Sequence, residues 1–208
     1  MPRLREEAQA DLASLSGTLY RIPADAWDEF NERHRELRGD YLPRSQANLV
    51  HDYMEKAARS LLADEPGIYM PEPGTQTFYI GIRHTWVFRL HKLNNDFTIC
   101  NNSTPLSLEF LDQDDVQLGL PAMPGSVTNL HLGYLLNVTE TGMSSVHIVC
   151  PNGPGAYYWE WTLLPEADQG REPVALPIAP QPSEPDRLAR PKPSEKPVEQ
   201  PAKDGSGA

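Results

Sequence analysis

The sequence predicts an α+β protein in which N-terminal helices pack on antiparallel β meanders, followed by a disordered Pro-rich C-terminal tail. Three observations carry this prediction. Apolar residues recur every three to four positions over roughly the first 60 residues, which is the period of an amphipathic helix. The period then changes to two, among β-branched and aromatic residues separated by turn formers. Finally, 10 of the 21 prolines lie in the last 44 residues.

Three helices are predicted in the first part. The first, within PRLREEAQADLASLSG, is expected to end at Gly17, because glycine favours the left-handed conformation that closes a helix. It is short and largely polar, so we expect it to dock only weakly. The second is expected to begin at Pro23, which suits a first helical turn. The third, from Ser45 to about Leu62, has the clearest apolar stripe.

Two groups of strands follow. GIYM, TQTFYIGI, HTWVFRLHKL and FTIC predict a first meander, and LHLGYLLNV, SVHIVC and AYYWEWTLL predict a second. Between them, TPLSLEFLDQ predicts a short helix with Thr104 as its cap and Pro105 in its first turn. We therefore divide the chain into a short N-terminal helix at 1–17, a single α+β domain at 18–165 and a tail at 166–208, which has too little apolar surface to fold.

Composition restricts the function. The formal net charge is −11, so the molecule as a whole should repel a phosphate backbone, and nucleic acid is an unlikely partner. We find no apolar run suited to a signal peptide or to crossing a bilayer, and expect no membrane partner. We therefore expect a cytoplasmic protein. Cys100 and Cys150 form no CxxC pair, and we expect both to be reduced and buried.

Common catalytic motifs are missing from the sequence. It contains no GxxxxGK[ST], GxGxxG, GxSxG or HExxH pattern, so we predict no catalytic residue, no metal site and no cofactor. The acidic run DQDD, with Asp112, Asp114 and Asp115, offers oxygen ligands for a hard cation. It lacks the glycine and terminal glutamate of an EF-hand loop, and we interpret it as a solvated helix end.

The six histidines show no ligand spacing. His84 and His91 are predicted on opposite faces of one strand and cannot share an ion there. His131 and His147 fall within apolar strands, where we expect core histidines with one satisfied nitrogen each. Only His91, close to Arg89, is predicted to have a surface role.

The densest group of positive charges in this acidic chain lies in RHTWVFRLHKL and comprises Arg83, Arg89, His91 and Lys92. Such a strand suits recognition of an acidic peptide or a phosphate through charge-assisted hydrogen bonds. We favour the alternative interpretation, in which the arginines pair with the protein's own carboxylates while Trp86 and Phe88 pack beneath the long helix.

A second candidate surface is the aromatic stretch AYYWEW. Alternation predicts that Tyr157, Trp159 and Trp161 share one face of a strand. Three aligned aromatic rings suit stacking on unpaired bases, but the stretch has no basic groove beside it. We therefore favour a core position or a protein interface for these rings.

The order FRLHKLN, TP with a following helix, LGLPAMP, LHLGYLLN and VHIVCPNG…YWEW resembles a family of small phage and mobile-element proteins. That family is associated with operons that carry helix-turn-helix repressors and ImmA/IrrE-type metallopeptidases. The resemblance covers about residues 46–164. It implies a cytosolic regulatory or antitoxin-like role in a bacterial or phage-infected host cell, and it transfers no catalytic residue to this chain.

The leading hypothesis is a non-enzymatic protein-binding or regulatory protein whose acidic surface meets a basic partner, such as a DNA-binding regulator or a toxin. One alternative is a nuclease-like or nucleic-acid-binding protein that uses Arg89, His91 and Lys92, with Asp96 and Glu72 as the nearest acids. A further alternative is a virion structural component tethered by its proline-rich tail. The oligomeric state is left open.

Overall fold

A computed structural model describes residues 1–74, 77–99, 104–113 and 127–165, all within one compact unit, Met1–Gly170. The helices are α1 (Arg5–Leu12), α2 (Ser16–His34), α3 (Pro43–Leu61) and α4 (Pro105–Asp112). The strands are β1 (Ile68–Tyr69), β2 (Ile80–Ile82), β3 (Trp86–Lys92), β4 (Thr128–Leu136), β5 (Met143–Pro151) and β6 (Tyr157–Leu163). The predicted α+β class is confirmed, whereas the predicted tail at 166–208 lies outside the described residues.

The first two helices follow each other almost directly. A single 3-10 turn at Ala13–Leu15 joins α1 to α2, which runs through both Gly17 and Pro23. The predicted helix end at Gly17 and helix start at Pro23 are therefore wrong, and the boundary drawn between residues 17 and 18 falls inside α2. Ala8 and Leu12 are fully buried in the same core as α2, so α1 does not dock weakly. This burial outweighs the cost of about 1 kcal/mol for a glycine in a helix.

The third helix is the one that the sequence predicts best. α3 begins at Pro43, two residues before the predicted start, and a proline is well suited to that first turn. Its buried positions are Val50, Met54 and Ala58, at spacings of four. This stripe faces the sheet, because Met54 belongs to the same buried cluster as Phe88 of β3.

The six strands form one sheet in sequence order, β1 to β6. Both predicted meanders are confirmed, since β1–β2–β3 and β4–β5–β6 pair antiparallel. The segment FTIC contributes only an isolated bridge between Leu93 and Ile99 within the described residues. The two meanders join through a parallel pairing of β3 with β4. Parallel neighbours require a long crossover, and here the crossover contains α4.

The sheet has two differently covered faces. On the helix face, Trp86, Phe88 and Leu130 join the core formed with α1, α2 and α3, so the predicted packing of Trp86 and Phe88 is confirmed. The opposite face, here called the α4 face, carries the alternate residues of each strand. There Asn129 Nδ2 donates to the Phe110 carbonyl at 3.1 Å. The helix α4 therefore lies across the central strands.

The predicted cap of α4 is confirmed. The Thr104 hydroxyl accepts a hydrogen bond from the Ser107 amide at 3.3 Å, and Pro105 occupies the first turn. The residue that follows the helix, Gln113, is its C-cap and has a φ of +53°. The Gln113 amide group bonds the backbone N–H and C=O of Asn129, at 2.9 and 2.5 Å. These bonds fix the end of α4 to β4.

None of the helices in the described ranges combines the length and the apolar character needed to cross a membrane.

Candidate functional site on the α4 face

Arg83 stands apart from the other predicted basic residues. It lies in the tight turn between β2 and β3, where Arg83 and His84 have φ values of +51° and +54°. Positive φ at both central positions is the geometry of a turn whose twist matches the hairpin. The Arg83 guanidinium donates to the Asp11 carbonyl at 2.5 Å and to the Ser14 hydroxyl at 3.4 Å. It therefore ties this turn to the N-terminal helices.

Lys92 and the carboxylates of the nuclease hypothesis do not converge. The Lys92 Nζ lies 2.7 Å from Glu140 Oε1, and alternation directs Lys92 away from the α4 face. Asp96 accepts hydrogen bonds from Thr98 in the turn after β3. Glu72 is exposed between β1 and β2. Among the described residues, no group of three histidines, cysteines or acids is arranged to hold a metal ion.

Arg89 lies half-buried on the α4 face. Its guanidinium carbon is 4.2 Å from the centre of the Phe110 ring, a cation–π distance. Burial lowers the pKa of Arg89, and none of the described carboxylates forms an ion pair with it. The predicted pairing of arginines with carboxylates is therefore wrong for Arg89, and also for Arg83, which binds a carbonyl.

Two histidines adjoin Arg89. The rings of His91 and His131 meet edge to face, with their centroids 4.7 Å apart. His131 is only 2% exposed, and neither of its ring nitrogens has a hydrogen-bond partner among the described residues; His91 Nε2 is likewise buried without one there. The predicted single satisfied nitrogen of His131 is wrong among the described residues, whereas His91 is half-exposed and its predicted surface role stays a prediction. The ring of Phe110 in α4 packs on His131, on a face of the sheet that alternation alone marks only as polar.

The surroundings keep both rings neutral. Burial, followed by the positive charges of His51 and Arg89, lowers the pKa of His91 to about 3. Burial, followed by His91 and Arg89, holds the pKa of His131 well below its ordinary value. A neutral imidazole has one donor nitrogen and one acceptor nitrogen. His131 therefore presents one unused donor and one unused acceptor.

A third histidine on the same face is fully satisfied. His147 Nδ1 lies 2.6 Å from Glu160 Oε1, and His147 Nε2 lies 2.7 Å from the Ser145 hydroxyl. His147 is buried like His131, but it has two bonded nitrogens where the sequence predicted one. Buried polar groups are normally bonded in this way, so His131 is the exception that needs an explanation.

The three predicted aromatic residues do not share one face. A register shift at Cys150 and Pro151 pairs Pro151 with Tyr157 and leaves Tyr158 as the extra residue of a bulge. The Tyr157 ring therefore meets Phe97 on the α4 face, with centroids 5.8 Å apart. Trp159 and Trp161 pack against the helix-face core.

A cavity of about 150 Å³ opens beside His131 on the α4 face. Apolar and polar atoms line it about equally, and its wall includes Phe97, Ile99, Leu108, Leu111, His131 and Val149. Residues of the stretch PNGPGA, between β5 and β6, complete the wall. The candidate site thus combines a cavity of mixed lining, one buried histidine whose two nitrogens have no partner among the described residues, and a half-buried arginine close by.

Other predicted features stand outside this site. Cys150 is buried and free, as expected, and burial raises its pKa to about 12, so the thiol stays protonated. Asp112 is exposed at the end of α4. Asp114, Asp115 and Cys100 lie outside the described residues.

Part of the site could have been found in the sequence. In β4 the apolar residues Leu130 and Leu132 alternate with Asn129 and His131, which marks a distinct polar face. The segment LSLEFL of α4 is apolar on more than one side, which indicates burial. Neither signal predicts that α4 covers the polar face of β4, because the contacts that place α4 there join residues far apart in the chain.

No protein-family model, no curated protein and no solved structure matches this chain.

The neutral histidines predict a pH-dependent stability. Unfolding restores ordinary pKa values near 6.5, so the unfolded chain binds more protons than the folded one from about pH 6.5 down to about 3. The free energy of unfolding should therefore fall as the pH falls through this range. Each histidine contributes up to about 1.4 kcal/mol per pH unit.

Urea unfolding at a series of pH values measures this effect. The variant His91→Phe should have a shallower dependence than the wild type, because one titrating group is removed while the carboxylates are unchanged. Parallel curves for the two proteins would contradict the assignment.

Proposed function

We propose that the protein is a non-enzymatic, cytosolic protein-binding regulator of a phage or mobile element, with an antitoxin-like role. Its acidic surface would take a basic polypeptide, such as a DNA-binding regulator or a nucleic-acid-acting toxin. One observation supports this proposal above others. The described residues include 19 acids against 12 arginines and lysines, so negative charge predominates on this part of a chain of net charge −11.

Half of the described arginines and lysines form ion pairs within the protein. Lys56 Nζ lies 2.6 Å from Glu29 Oε1, which also binds a second cation at 2.8 Å. Arg59 lies 2.8 Å from Glu55 and also donates to a backbone carbonyl. Arg83 is bonded to the N-terminal helices as described above. Arg5, Arg35 and Arg44 are exposed and form no ion pair with a described residue, but the excess of acids makes attraction of an anionic polymer unfavourable on the whole.

The acids behave differently. Asp28 and Glu32 are exposed one turn apart in α2, and neither forms an ion pair with any described residue. Like charges at this spacing destabilise a helix by a few tenths of a kcal/mol. Glu36, in the turn after α2, is also exposed and without an ion pair there. A cationic partner would offset this repulsion and gain a faster association rate.

Affinity purification with two matched variants tests the proposal. One variant, Asp28→Asn/Glu32→Gln, neutralises the α2 pair, and the control, Asp64→Asn/Glu65→Gln, removes the same charge from another exposed site. From cells that carry the neighbouring genes, the wild type and the control should retain one basic polypeptide at a fixed ratio at low ionic strength. The α2 variant should lose most of it, and salt should release it from all three.

Two outcomes would contradict the proposal. One is the absence of any fixed-ratio partner, and the other is equal retention by the two variants. Gel shifts with DNA and RNA, with and without magnesium, run in parallel and should be blank. A shift that Arg89→Ala/Lys92→Ala abolishes would favour the nucleic-acid alternative instead.

A further inference from the structure

The outer edge of β6 belongs to none of the functions considered so far. β6 is the last strand of the sheet, and none of the described strands pairs with its free side. The opposite edge is formed by β1, which has only two residues and offers little to pair with. We propose that β6 pairs antiparallel with β6 of a second copy of this chain, so that the two sheets join across a two-fold axis. This inference is independent of the proposed protein partner, because it needs no other protein.

The pairing of the central strands shows which backbone groups of β6 point outward. The Thr128 amide donates to the Thr85 carbonyl, so every second residue of β4, beginning with Thr128, directs its backbone groups to β3, and the others direct theirs to β5. Carried through the registers of β5 and β6, this alternation turns the backbone groups of Trp161 toward β5. The N–H and C=O groups of Glu160 and Thr162 therefore face outward, and no described backbone group bonds them there.

β6 lacks the features by which proteins usually protect an exposed edge. Such edges commonly carry lysine, proline or a bulge that turns the strand away from a neighbour. Tyr157–Leu163 contains no lysine, arginine or proline, and its bulge at Tyr158 lies at one end. Its one charged residue, Glu160, already contacts His147 at 2.6 Å and accepts a hydrogen bond from the Thr162 hydroxyl at 2.7 Å. The rest of the strand is therefore open to pairing.

The outward groups fit a second copy best in one register. Two antiparallel copies can bond through Glu160 and Thr162 with the two-fold axis at position 160, 161 or 162. An axis at 160 places the two Glu160 carboxylates opposite each other, which is unfavourable. An axis at 162 overlaps the two strands only over 161–163, whereas an axis at 161 overlaps them over 159–163. With the axis at 161, each Glu160 exchanges both of its backbone bonds with Thr162 of the other copy.

The same register brings apolar side chains together. Tyr158 and Leu164 flank this overlap and are 45% and 43% exposed. The axis at 161 places Tyr158 of one copy close to Leu164 of the other, and it places the two half-buried Trp161 rings side by side on the helix face. Removing this surface from water favours association. The net charge of −11 on each copy opposes it, so added salt should strengthen the dimer.

Sedimentation velocity of the purified full chain tests the inference. The wild type should pass from monomer to dimer as its concentration rises, and salt should favour the dimer, whereas salt releases the basic polypeptide proposed above. In the same samples, the amides of Glu160 and Thr162 should exchange with deuterium more slowly as the dimer forms, because they become hydrogen-bonded. A wild type that stays monomeric at every concentration would overturn the inference, and so would a dimer in which these two amides exchange as fast as in the monomer.

Substitutions at Thr162 provide the second arm. Thr162→Pro removes an outward N–H without breaking a bond to β5, so it should raise the dissociation constant of the dimer by about tenfold, whereas the matched control Thr162→Val keeps the N–H and should change it little. Thr162→Glu, which faces Glu160 of the other copy, should weaken the dimer, and Thr162→Lys should retain it. No effect of Thr162→Pro, or equal weakening by Thr162→Glu and Thr162→Lys, would overturn the inference. The wild-type measurements decide the matter even where a variant fails to fold.

Discussion

Gly133→Ala should lower the free energy of unfolding by about 3 kcal/mol, because an added methyl group has no room between β3 and β4. A Cβ at Gly133 would lie 2.5 Å from Cγ of Leu93 and 2.9 Å from the carbonyl oxygen of His91. The first atom belongs to a buried side chain and the second to the backbone of the parallel partner strand. Neither moves without disturbing the junction of the two meanders. Equilibrium urea unfolding measures the change.

Two further variants show that the effect comes from this contact. Gly39→Ala adds the same methyl group where no atom lies within 4 Å, and it should leave stability almost unchanged. In the double variant Gly133→Ala/Leu93→Ala, part of the clash is removed, so the combined loss should be smaller than the sum of the single losses. Strict additivity would show that Leu93 is not the group that resists the methyl.

The second large prediction concerns two histidines on one face of the sheet. His131→Phe should stabilise the protein by about 1–2 kcal/mol, because it removes buried polar atoms that have no partner, and the adjoining cavity accommodates the larger ring. His147→Phe should destabilise it by about 2–3 kcal/mol. That substitution leaves Glu160 and Ser145 without the partners they have in the folded protein.

Thermal and urea unfolding at pH 7.5, where both imidazoles are neutral in the unfolded chain, compare the two variants directly. The informative quantity is the sign of each change in the free energy of unfolding. Both substitutions replace a histidine by a phenylalanine at a buried position, and the two positions lie on neighbouring strands. Destabilisation by His131→Phe equal to that by His147→Phe would mean that His131 is bonded in solution.

Local sequence signals predicted the elements that local physics controls. The apolar stripe of α3 fixes which side of that helix is buried, because residues three and four apart share a face. The cap at Thr104 is a contact within three residues. Alternation in β3 separated Arg89 and His91 from Trp86 and Phe88 correctly, since side chains of a strand point to opposite faces in turn.

The same sequence signals gave wrong predictions where a contact between residues far apart in the chain determines the local structure. Gly17 and Pro23 are helix-breaking signals, but burial of α1 and α2 in one core overrides them. The bulge at Tyr158 depends on the pairing of β6 with β5, and it separates Tyr157 from Trp159 and Trp161. His131 and His147 have the same local surroundings of apolar strand residues, but only His147 faces an acid on the adjacent strand.

The sequence by itself determined the class of the fold, the two meanders, the position of α3 and the acidic charge, because each depends on composition or on neighbours along the chain. Only the tertiary structure decided the parallel junction of β3 with β4, the placement of α4 and the burial of His131. These features arise from contacts between residues more than 18 positions apart. Such contacts leave no periodic pattern in the chain.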